Sequence, residues 1–475
     1  MYVLYKQGLQ DNHWTMVKKL NENLRAKIQT KHGNTRTIKI KDSIRQGGVL
    51  STTLYGILMD EISKALENEE TGIELIEGVL KIGSLLWVDD VIVLEEEGKL
   101  QPPLDITNET SNIYHIEYGE PKSNSMTIKN NRKKPINKNY NIGPMKLKRT
   151  DKYKYLGYLQ NEKNNNDDQL KAIQSRTEAA YQKMMALTGN SNFNNLEMET
   201  IWLVMKACIM PSITYSGETW EPNAHYYDEA NKIADSLIKR VLKTPKGTPR
   251  EPLYMETGLI DPETIITCNR INMEARIMRN NNETMKKLLM LTNQDSWAIT
   301  NNEIKRKLKI GDHELKEDKD IVKQTVKKAA YEDFKNKLNE SSKEKSKVQY
   351  YLQGKKEWTP GKASEYMKKL NRNQASNIFK ARTRMLPIKG NQKNEYTDKD
   401  GNTHITCRLC KEKDETQKHI LEECTTLRKI TIPITESMIF DENTENLEET
   451  ATQIGKILEE LERASCQSPA DDRQT

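Results

Sequence analysis

The sequence has few phenylalanines and no long apolar runs. Four Phe occur among 475 residues, against 19 Tyr, and the hydrophobic fraction is 35%. No apolar run reaches the roughly 18 residues that a membrane-spanning helix needs. The first residues also lack the apolar stretch of a secretory signal peptide. The sequence therefore predicts no membrane segment and an intracellular location, in the nucleus or the cytoplasm.

Cysteine is also scarce, which excludes a disulfide-rich secreted scaffold. Six Cys occur, and three of them, Cys407, Cys410 and Cys424, lie within a stretch of 18 residues. In a reducing compartment such a cluster favours metal binding over disulfides. The other three cysteines are interpreted as ordinary thiols.

The excess of positive charge is small, because 75 Lys and Arg stand against 69 Asp and Glu. A net charge of +6 is compatible with nucleic acid but does not require it. Residues 361–394 are locally basic, with nine Lys or Arg and one Glu. Within them, phosphate contacts are predicted for Arg372, Lys380, Arg382 and Arg384. The alternative is a solvated helix face.

The hydrophobic period changes along the chain, which predicts an α+β fold class. Residues 1–160 mix short strands with helices, and helical spacing dominates after the polar stretch at 161–168. Helices are predicted from Asp11 to Ile28 and from Thr53 to Leu66, and YKYLGYLQ is predicted as a strand. Residues 300–350 are predicted as exposed helices with a possible linker. The predicted parts are 1–160, 161–300, 301–395, 396–430, and 431–475, the last with a helix and a disordered tail.

Two adjacent acidic residues, Asp89 and Asp90, join two apolar runs in KIGSLLWVDDVIVLEEE. This pattern predicts a hairpin with the carboxylates at its turn. Clustered carboxylates hold the Mg²⁺ ions of phosphoryl transfer, although Asp is also common in ordinary turns. The doublet alone therefore does not decide between the two interpretations.

Three further segments accompany the doublet in a fixed order: IRQGGVLSTTLYGILMDEI before it, then IEYGEPKSNSMTI and YKYLGYLQ after it. Together the four segments resemble the reverse transcriptase of non-LTR retrotransposons. The segment at 248–277 resembles the thumb side of the same enzymes. The resemblance implies a partial palm over 1–160, a helical thumb over 161–300, a helical connector over 301–395, and a zinc knuckle over 396–430.

The resemblance also implies an RNA-directed DNA polymerase that uses an RNA template, a DNA primer and nucleoside triphosphates. Asp89 would bind Mg²⁺ with help from Asp90, and Lys122 would lie near the triphosphate. Leu156 and Gly157 would form the primer-grip turn. The template and nucleotide site would be shaped by Arg45, Gln46, Gly47 and Gly48.

The sequence departs from the family pattern in three places. Trp87 stands where Tyr or Phe is usual, and Ser51-Thr52 stands where Ser-Pro is usual. The first catalytic Asp and the fingers, which precede the Arg-Gln-Gly segment in the family, have no counterpart before Gln46. We therefore expect the chain as written to be catalytically incomplete. The alternative is a non-catalytic nucleic-acid-binding remnant of a retroelement.

The cysteine cluster has the spacing Cys407-x₂-Cys410-x₈-His419-x₄-Cys424. Zn²⁺ takes four such ligands in a tetrahedron, and a Cys-x₂-Cys turn presents two thiolates together. Asp414 is predicted to cap a short helix that carries His419. Because a position five residues further lies about 140° round an α-helix, that helix must end or distort before Cys424.

Overall fold

The computed structural model describes residues 1–40, 48–128, 138–186, 197–220, 223–291, 296–355, 357–398 and 401–467. The chain divides into two compact units, Met1–Asn165 (unit 1) and Asn166–Thr475 (unit 2). Helices predominate and the sheets are small, so the mixed α+β class is confirmed at this level. The finer division into palm, thumb, connector and knuckle stays a prediction. Among the described residues, no helix is long and apolar enough to cross a membrane.

Unit 1 combines helices with two-stranded sheets. The helices are α1 (Tyr2–Lys6), α2 (Asp11–Asn21), α3 (Ser51–Asn68) and α4 (Gln101–Ile113). The strands are β1 (Arg25–Ala26), β2 (Gln29–Thr30), β3 (Gly33–Asn34), β4 (Ile38–Lys39), β5 (Ile73–Ile76), β6 (Leu80–Ile82), β7 (Ser84–Trp87), β8 (Asp90–Val93), β9 (Asn124–Ser125), β10 (Asn141–Ile142), β11 (Met145–Lys146), β12 (Lys148–Arg149), β13 (Lys152–Tyr155) and β14 (Tyr158–Asn161). The described pairs are antiparallel, except that β9 and β12 run parallel.

The β7–β8 hairpin is held by the apolar stripe of helix α3. Met59, Ile62 and Leu66 recur at helical spacing and are buried. Val91 and Val93 of β8 pack against this stripe. The hairpin is therefore held against α3 through β8, and the residues of its turn are exposed.

Unit 2 is mainly helical. Its helices are α5 (Asp167–Ala186), α6 (Met198–Val204), α7 (Met210–Thr214), α8 (Ala224–Val241), α9 (Arg250–Thr257), α10 (Pro262–Arg279), α11 (Glu283–Leu291), α12 (Ser296–Leu308), α13 (Lys319–Ser341), α14 (Ser346–Gly354), α15 (Tyr366–Lys369), α16 (Arg372–Arg382), α17 (Glu436–Ile439) and α18 (Thr444–Gln467). Wider π-helical turns cover Met205–Ile209 and His419–Glu423.

The turn between α9 and α10 is determined by its sequence. Gly258 ends α9 at φ +65°, and a Cβ there would lie 2.3 Å from the backbone nitrogen of Ala363. Asp261 begins α10 by accepting a hydrogen bond from the backbone nitrogen of Thr264 at 2.8 Å. Pro262 occupies the first helical position, where its missing N–H has no cost.

Several local predictions can be compared with the structure. The hairpin at the acidic doublet and the helix from Thr53 to Leu66 are confirmed as β7–β8 and α3. The helix that begins at Asp11 ends at Asn21, so its predicted extension is wrong; extended backbone at Glu22 leads into β1. The segment YKYLGYLQ lies in the hairpin β13–β14 rather than in one strand.

The prediction of exposed helices and a linker at 300–350 is wrong for α13. This helix buries one residue in every turn, and the stripe packs against α10 and α12. The helix predicted within 431–475 is confirmed as α18. Residues 468–475, part of the predicted tail, lie outside the described residues.

Candidate functional site

Four predicted metal ligands converge in unit 2. The ligand atoms of Cys407, Cys410, His419 and Cys424 all lie within 4.8 Å of one another. The Cys407 and Cys424 Sγ atoms are 4.0 Å apart, and Cys410 Sγ lies 3.3 Å from His419 Nε2. A tetrahedron with zinc bond lengths would give edges of about 3.5–3.8 Å. The four residues could therefore hold a metal ion such as zinc.

A wider helical turn brings Cys424 back towards His419. The backbone nitrogen of Cys424 donates to the carbonyl oxygen of His419 at 2.8 Å, five residues earlier. The predicted distortion before Cys424 is therefore confirmed. The predicted cap is wrong: Thr416, not Asp414, caps this turn, because its hydroxyl accepts from the His419 backbone nitrogen at 3.1 Å.

The ligand loop is anchored by a buried carboxylate, Glu415. Nη2 of Arg408 donates to its Oε1 at 2.6 Å, and the Arg408 backbone nitrogen donates to Oε2 at 3.0 Å. The backbone nitrogen of Lys389 donates to the same carboxylate at 2.9 Å. Gln417 donates from Nε2 to the carbonyl of Ala381 at 2.9 Å. The metal group is therefore attached to the end of helix α16.

The protonation of the ligands follows from burial and local hydrogen bonds. Burial raises the pKa of Cys407 to about 12. Burial opposes ionisation of Cys410 as well, but the backbone N–H groups of Glu412 and Lys413 lower the pKa of its thiol. Burial lowers the pKa of His419, which favours the neutral imidazole that binds metal. A bound cation would stabilise the buried Cys407 thiolate.

The four residues could supply all the ligands of a tetrahedral metal ion. Four protein ligands complete a tetrahedron and leave no open position for a substrate. The cysteines are unpaired, so no disulfide competes for the ligands. Arg428 lies beside the group: its Nη2 donates to the carbonyl of Ile420 at 3.3 Å, and its Nε and Nη1 are buried without a partner in the described residues. A guanidinium there would partly offset the charge of the thiolates if a metal ion is bound.

The predicted carboxylates stand at the tip of the β7–β8 hairpin in unit 1. Trp87 pairs with Asp90, which leaves Val88 and Asp89 as the two turn residues. All four residues are exposed. Val88 has a φ of +54°, although β-branched residues rarely adopt this region.

Other predicted segments lie next to this acidic turn. Besides burial, Asp89 raises the pKa of Tyr55 on α3, and Asp90 raises the pKa of Tyr153 on β13. The Tyr153 hydroxyl donates to the carbonyl of Lys122 at 3.0 Å. The structure therefore brings together the acidic turn, the helix after Gly48, the segment of Lys122 and the β13–β14 hairpin.

The predicted primer-grip residues form a tight turn. Leu156 and Gly157 connect β13 to β14 with φ values of +47° and +84°, the left-handed pair of a two-residue hairpin turn. Gly48 lies just before α3. The predicted nucleotide-site residues Arg45, Gln46 and Gly47 lie outside the described residues.

No third acidic group completes a metal site at the acidic turn among the described residues. Within the described residues, the group of three or more potential metal ligands is the Cys/His group of unit 2. Asp89 and Asp90 alone supply two hard oxygen ligands. Mg²⁺ binding therefore stays an expectation.

Two of the predicted phosphate-binding arginines are buried, which corrects that prediction. Arg372 donates from Nε to the carbonyl of Val241 at 2.7 Å and from Nη2 to that of Arg240 at 2.8 Å, at the end of α8. Arg384 is exposed and lies over the ring of Tyr350, 3.8 Å from its centre. Lys380 is half-buried. Lys380 and Arg384 therefore keep access to solvent, and Arg372 does not.

Arg382 is buried in an ion cluster that sequence reasoning missed. Its Nη1 lies 3.1 Å from Oε1 of Glu256, a fully buried carboxylate. Lys355 lies 2.9 Å from the other oxygen, and the Ser364 hydroxyl also donates to it. Burial opposes ionisation, but Lys355 and Arg382 lower the pKa of Glu256 to about 2. Arg382 is therefore a structural cation, not a phosphate ligand.

Comparison with models of known protein families gives no match for this chain, and neither does comparison with curated protein sequences.

The left-handed φ of Val88 gives a prediction about stability. We expect Val88→Gly to stabilise unit 1 by about 1 kcal/mol, because glycine adopts this backbone region without strain. Urea denaturation followed by circular dichroism measures the change. Val49→Gly is the matched control: Val49 is exposed and its φ is not positive, so the same substitution should not stabilise the protein. Equal effects of the two substitutions would contradict the assignment of strain to Val88.

Proposed function

We propose that the chain is a polymerase segment that binds nucleic acid, with the palm and thumb side of a non-LTR retrotransposon reverse transcriptase. One observation carries the proposal. Segments that are far apart in sequence meet at the acidic turn, and they are the segments on which the family resemblance rests. A protein with this role would work inside the cell, in the nucleus or the cytoplasm, on an RNA template and a DNA primer.

The residues of unit 1 suggest a division of labour. Asp89 and Asp90 would hold Mg²⁺, which when bound would supply positive charge to the attacking 3′ hydroxyl and the leaving pyrophosphate. Lys122 would neutralise phosphate charge, and the bond from Tyr153 to its carbonyl fixes its backbone. The turn of Leu156 and Gly157 would hold the primer end.

In unit 2 we assign the metal group to zinc and to a structural role. Its Cys₃His donor set is soft and closed, as structural zinc sites are. Its anchoring through Glu415 and Gln417 would orient the surface formed by α16.

A second candidate function is nucleic-acid binding without catalysis. It is favoured by the acidic turn itself, where no third ligand joins the two carboxylates among the described residues. Two-metal phosphoryl transfer needs a ligand set that steadies both the attacking and the leaving oxygen. Both candidates therefore agree on binding and differ on chemistry.

Primer extension tests whether the chain carries out polymerase chemistry. We expect the 475-residue chain to bind a primer–template duplex but not to extend it with Mg²⁺ and nucleoside triphosphates. Loss of one stabilising group in such a site typically costs about 10²- to 10³-fold. Extension that Asp89→Ala abolishes would establish the enzyme and contradict this expectation. A primer carrying a photoreactive 3′ nucleotide should still crosslink to β13–β14, and crosslinking elsewhere would overturn the assignment of the primer-grip turn.

A further inference from the structure

Helix α16 is fixed against the C-terminal end of α8. Arg372 donates to the carbonyls of Arg240 and Val241, and the Ser376 hydroxyl donates to the carbonyl of Leu242. These bonds satisfy carbonyls that the last turn of a helix otherwise leaves open. Specific hydrogen bonds therefore hold the two helices together at this junction, although the bonded residues are about 130 residues apart in sequence.

Two lysines lie at this junction, close enough that the charge of Lys243 acts on Lys380. Lys243 lies two residues after the end of α8 and is exposed, and its Nζ donates to Oδ1 of Asn373 at 2.7 Å. Lys380 lies seven residues after Asn373, so the two share a face of α16. Lys380 is half-buried, and its ammonium group makes no hydrogen bond or ion pair within the part of the chain that the structure describes.

The charges around Lys380 are positive. Burial, Lys243 and Arg372 lower the pKa of Lys380 to about 8, and burial and Arg372 lower the pKa of Lys243. Acidic residues contact α16 elsewhere: Glu448 accepts from Gln374, and Glu256 pairs with Arg382. Positions 374 and 382 lie on other faces of the helix from Lys380. The two lysines therefore lack an acidic partner where they meet.

We propose that Lys243 and Lys380, with the amide of Asn373, form a binding site for the phosphodiester backbone of a nucleic acid. Two ammonium groups that lack a counter-ion attract an anion, and the amide can donate a hydrogen bond to it. Lys243 is exposed and Lys380 is half-buried, so a polyanion that makes repeated contacts at the surface fits the site better than a single phosphate ion. The choice of nucleic acid as the polyanion rests on the proposed function.

The test uses the full chain, a fluorescent single-stranded oligonucleotide and anisotropy titrations over a salt series. Each phosphate contact on a single strand contributes about 0.7 to the log–log salt slope. The double variant Lys243→Gln, Lys380→Gln should therefore flatten the slope by about 1.4. The control is Lys323→Gln with Lys328→Gln, which removes the same charge from exposed positions on α13.

A pH series adds a readout that a structural role would not change. Lysine is charged below its pKa, so binding by the parent should be strong near pH 7 and fall as the pH rises through about 8. Lys380→Arg should weaken this fall and shift it to higher pH, because arginine stays charged while Lys243 still titrates. If the double variant behaves like the control, the site is wrong. If the parent itself binds no oligonucleotide at low salt, the proposed function fails instead.

Discussion

Replacing Cys407 by Ser is expected to remove the metal ion from unit 2 and to destabilise the loop that carries its ligands. The buried Cys407 thiol is costly to ionise without a cation, so the metal and the folded loop stabilise each other. Changes to residues around a metal site typically reduce affinity about 10- to 100-fold, and loss of a ligand should exceed that range. Metal content after dialysis and competition with a chelator measure the effect.

Cys208→Ser provides the matched control. Cys208 is an exposed free thiol outside the ligand group, so its replacement should leave metal content unchanged. We expect His419→Ala to behave like Cys407→Ser. Equal metal content in the parent and both ligand variants would refute the assignment of the site.

Removal of the metal by a chelator should loosen the structure beyond the loop that carries the ligands. Gln417 and Glu415 connect the loop to Ala381 and Lys389, and Arg408 donates to the Ser465 hydroxyl on α18 at 2.7 Å. Hydrogen exchange should therefore rise first in residues 401–430 and next at the ends of α16 and α18. A change confined to the loop would show that these bonds do not couple it to the helices.

The second large effect concerns the buried ion cluster. Arg382→Gln should destabilise unit 2 by about 3–5 kcal/mol, because it leaves the buried carboxylate of Glu256 with one cation fewer. Arg382 also lies over the ring of Tyr366, a contact that Gln cannot replace. The free energy of unfolding, measured by chemical denaturation, reports the loss.

A surface pair of the same chemistry provides the control. Arg240 and Glu178 lie 2.5 Å apart, but both are exposed. Arg240→Gln should therefore cost less than about 1 kcal/mol. Similar losses for Arg240→Gln and Arg382→Gln would contradict the importance of burial.

The same cluster predicts a dependence of stability on pH. The pKa of Glu256 is lowered from 4.5 to about 2 in the folded protein, so its ionisation stabilises the fold above pH 4.5. This contribution is lost as the pH falls from about 4.5 through about 2. The difference in stability between the parent and Glu256→Gln should therefore shrink over that range.

The metal group could be predicted from sequence because its ligands are close along the chain. Their spacing limited the geometry, and the need for a distorted helix before Cys424 followed from it. Residue type alone does not identify the cap, because Asp414 and Thr416 are both capping residue types. In the structure Thr416 is the cap, because Asp414 is paired with Thr406 in an antiparallel β-bridge.

The number of charged residues in α16 predicts the wrong role for its arginines, because it does not distinguish the buried face of the helix from the exposed one. Arg372, Ala375, Phe379 and Arg382 follow one another at spacings of three and four, and all are buried. A stripe of this kind indicates a buried face, and that signal was in the sequence. The ion pair between Arg382 and Glu256 could not be predicted from the sequence. Glu256 lies 126 residues from Arg382, and no local pattern connects the two.

The π-helical turn at His419–Glu423 also determines how the ligand spacing can vary. Residues four apart share a face of an α-helix, whereas residues five apart do not. The bond from Cys424 to His419 absorbs the extra residue within a single turn. Deleting one residue between Ile420 and Glu423 would turn it into an ordinary α-helical turn and keep the two ligands together. The site would therefore accept a His-x₃-Cys spacing as well as the His-x₄-Cys spacing of this chain.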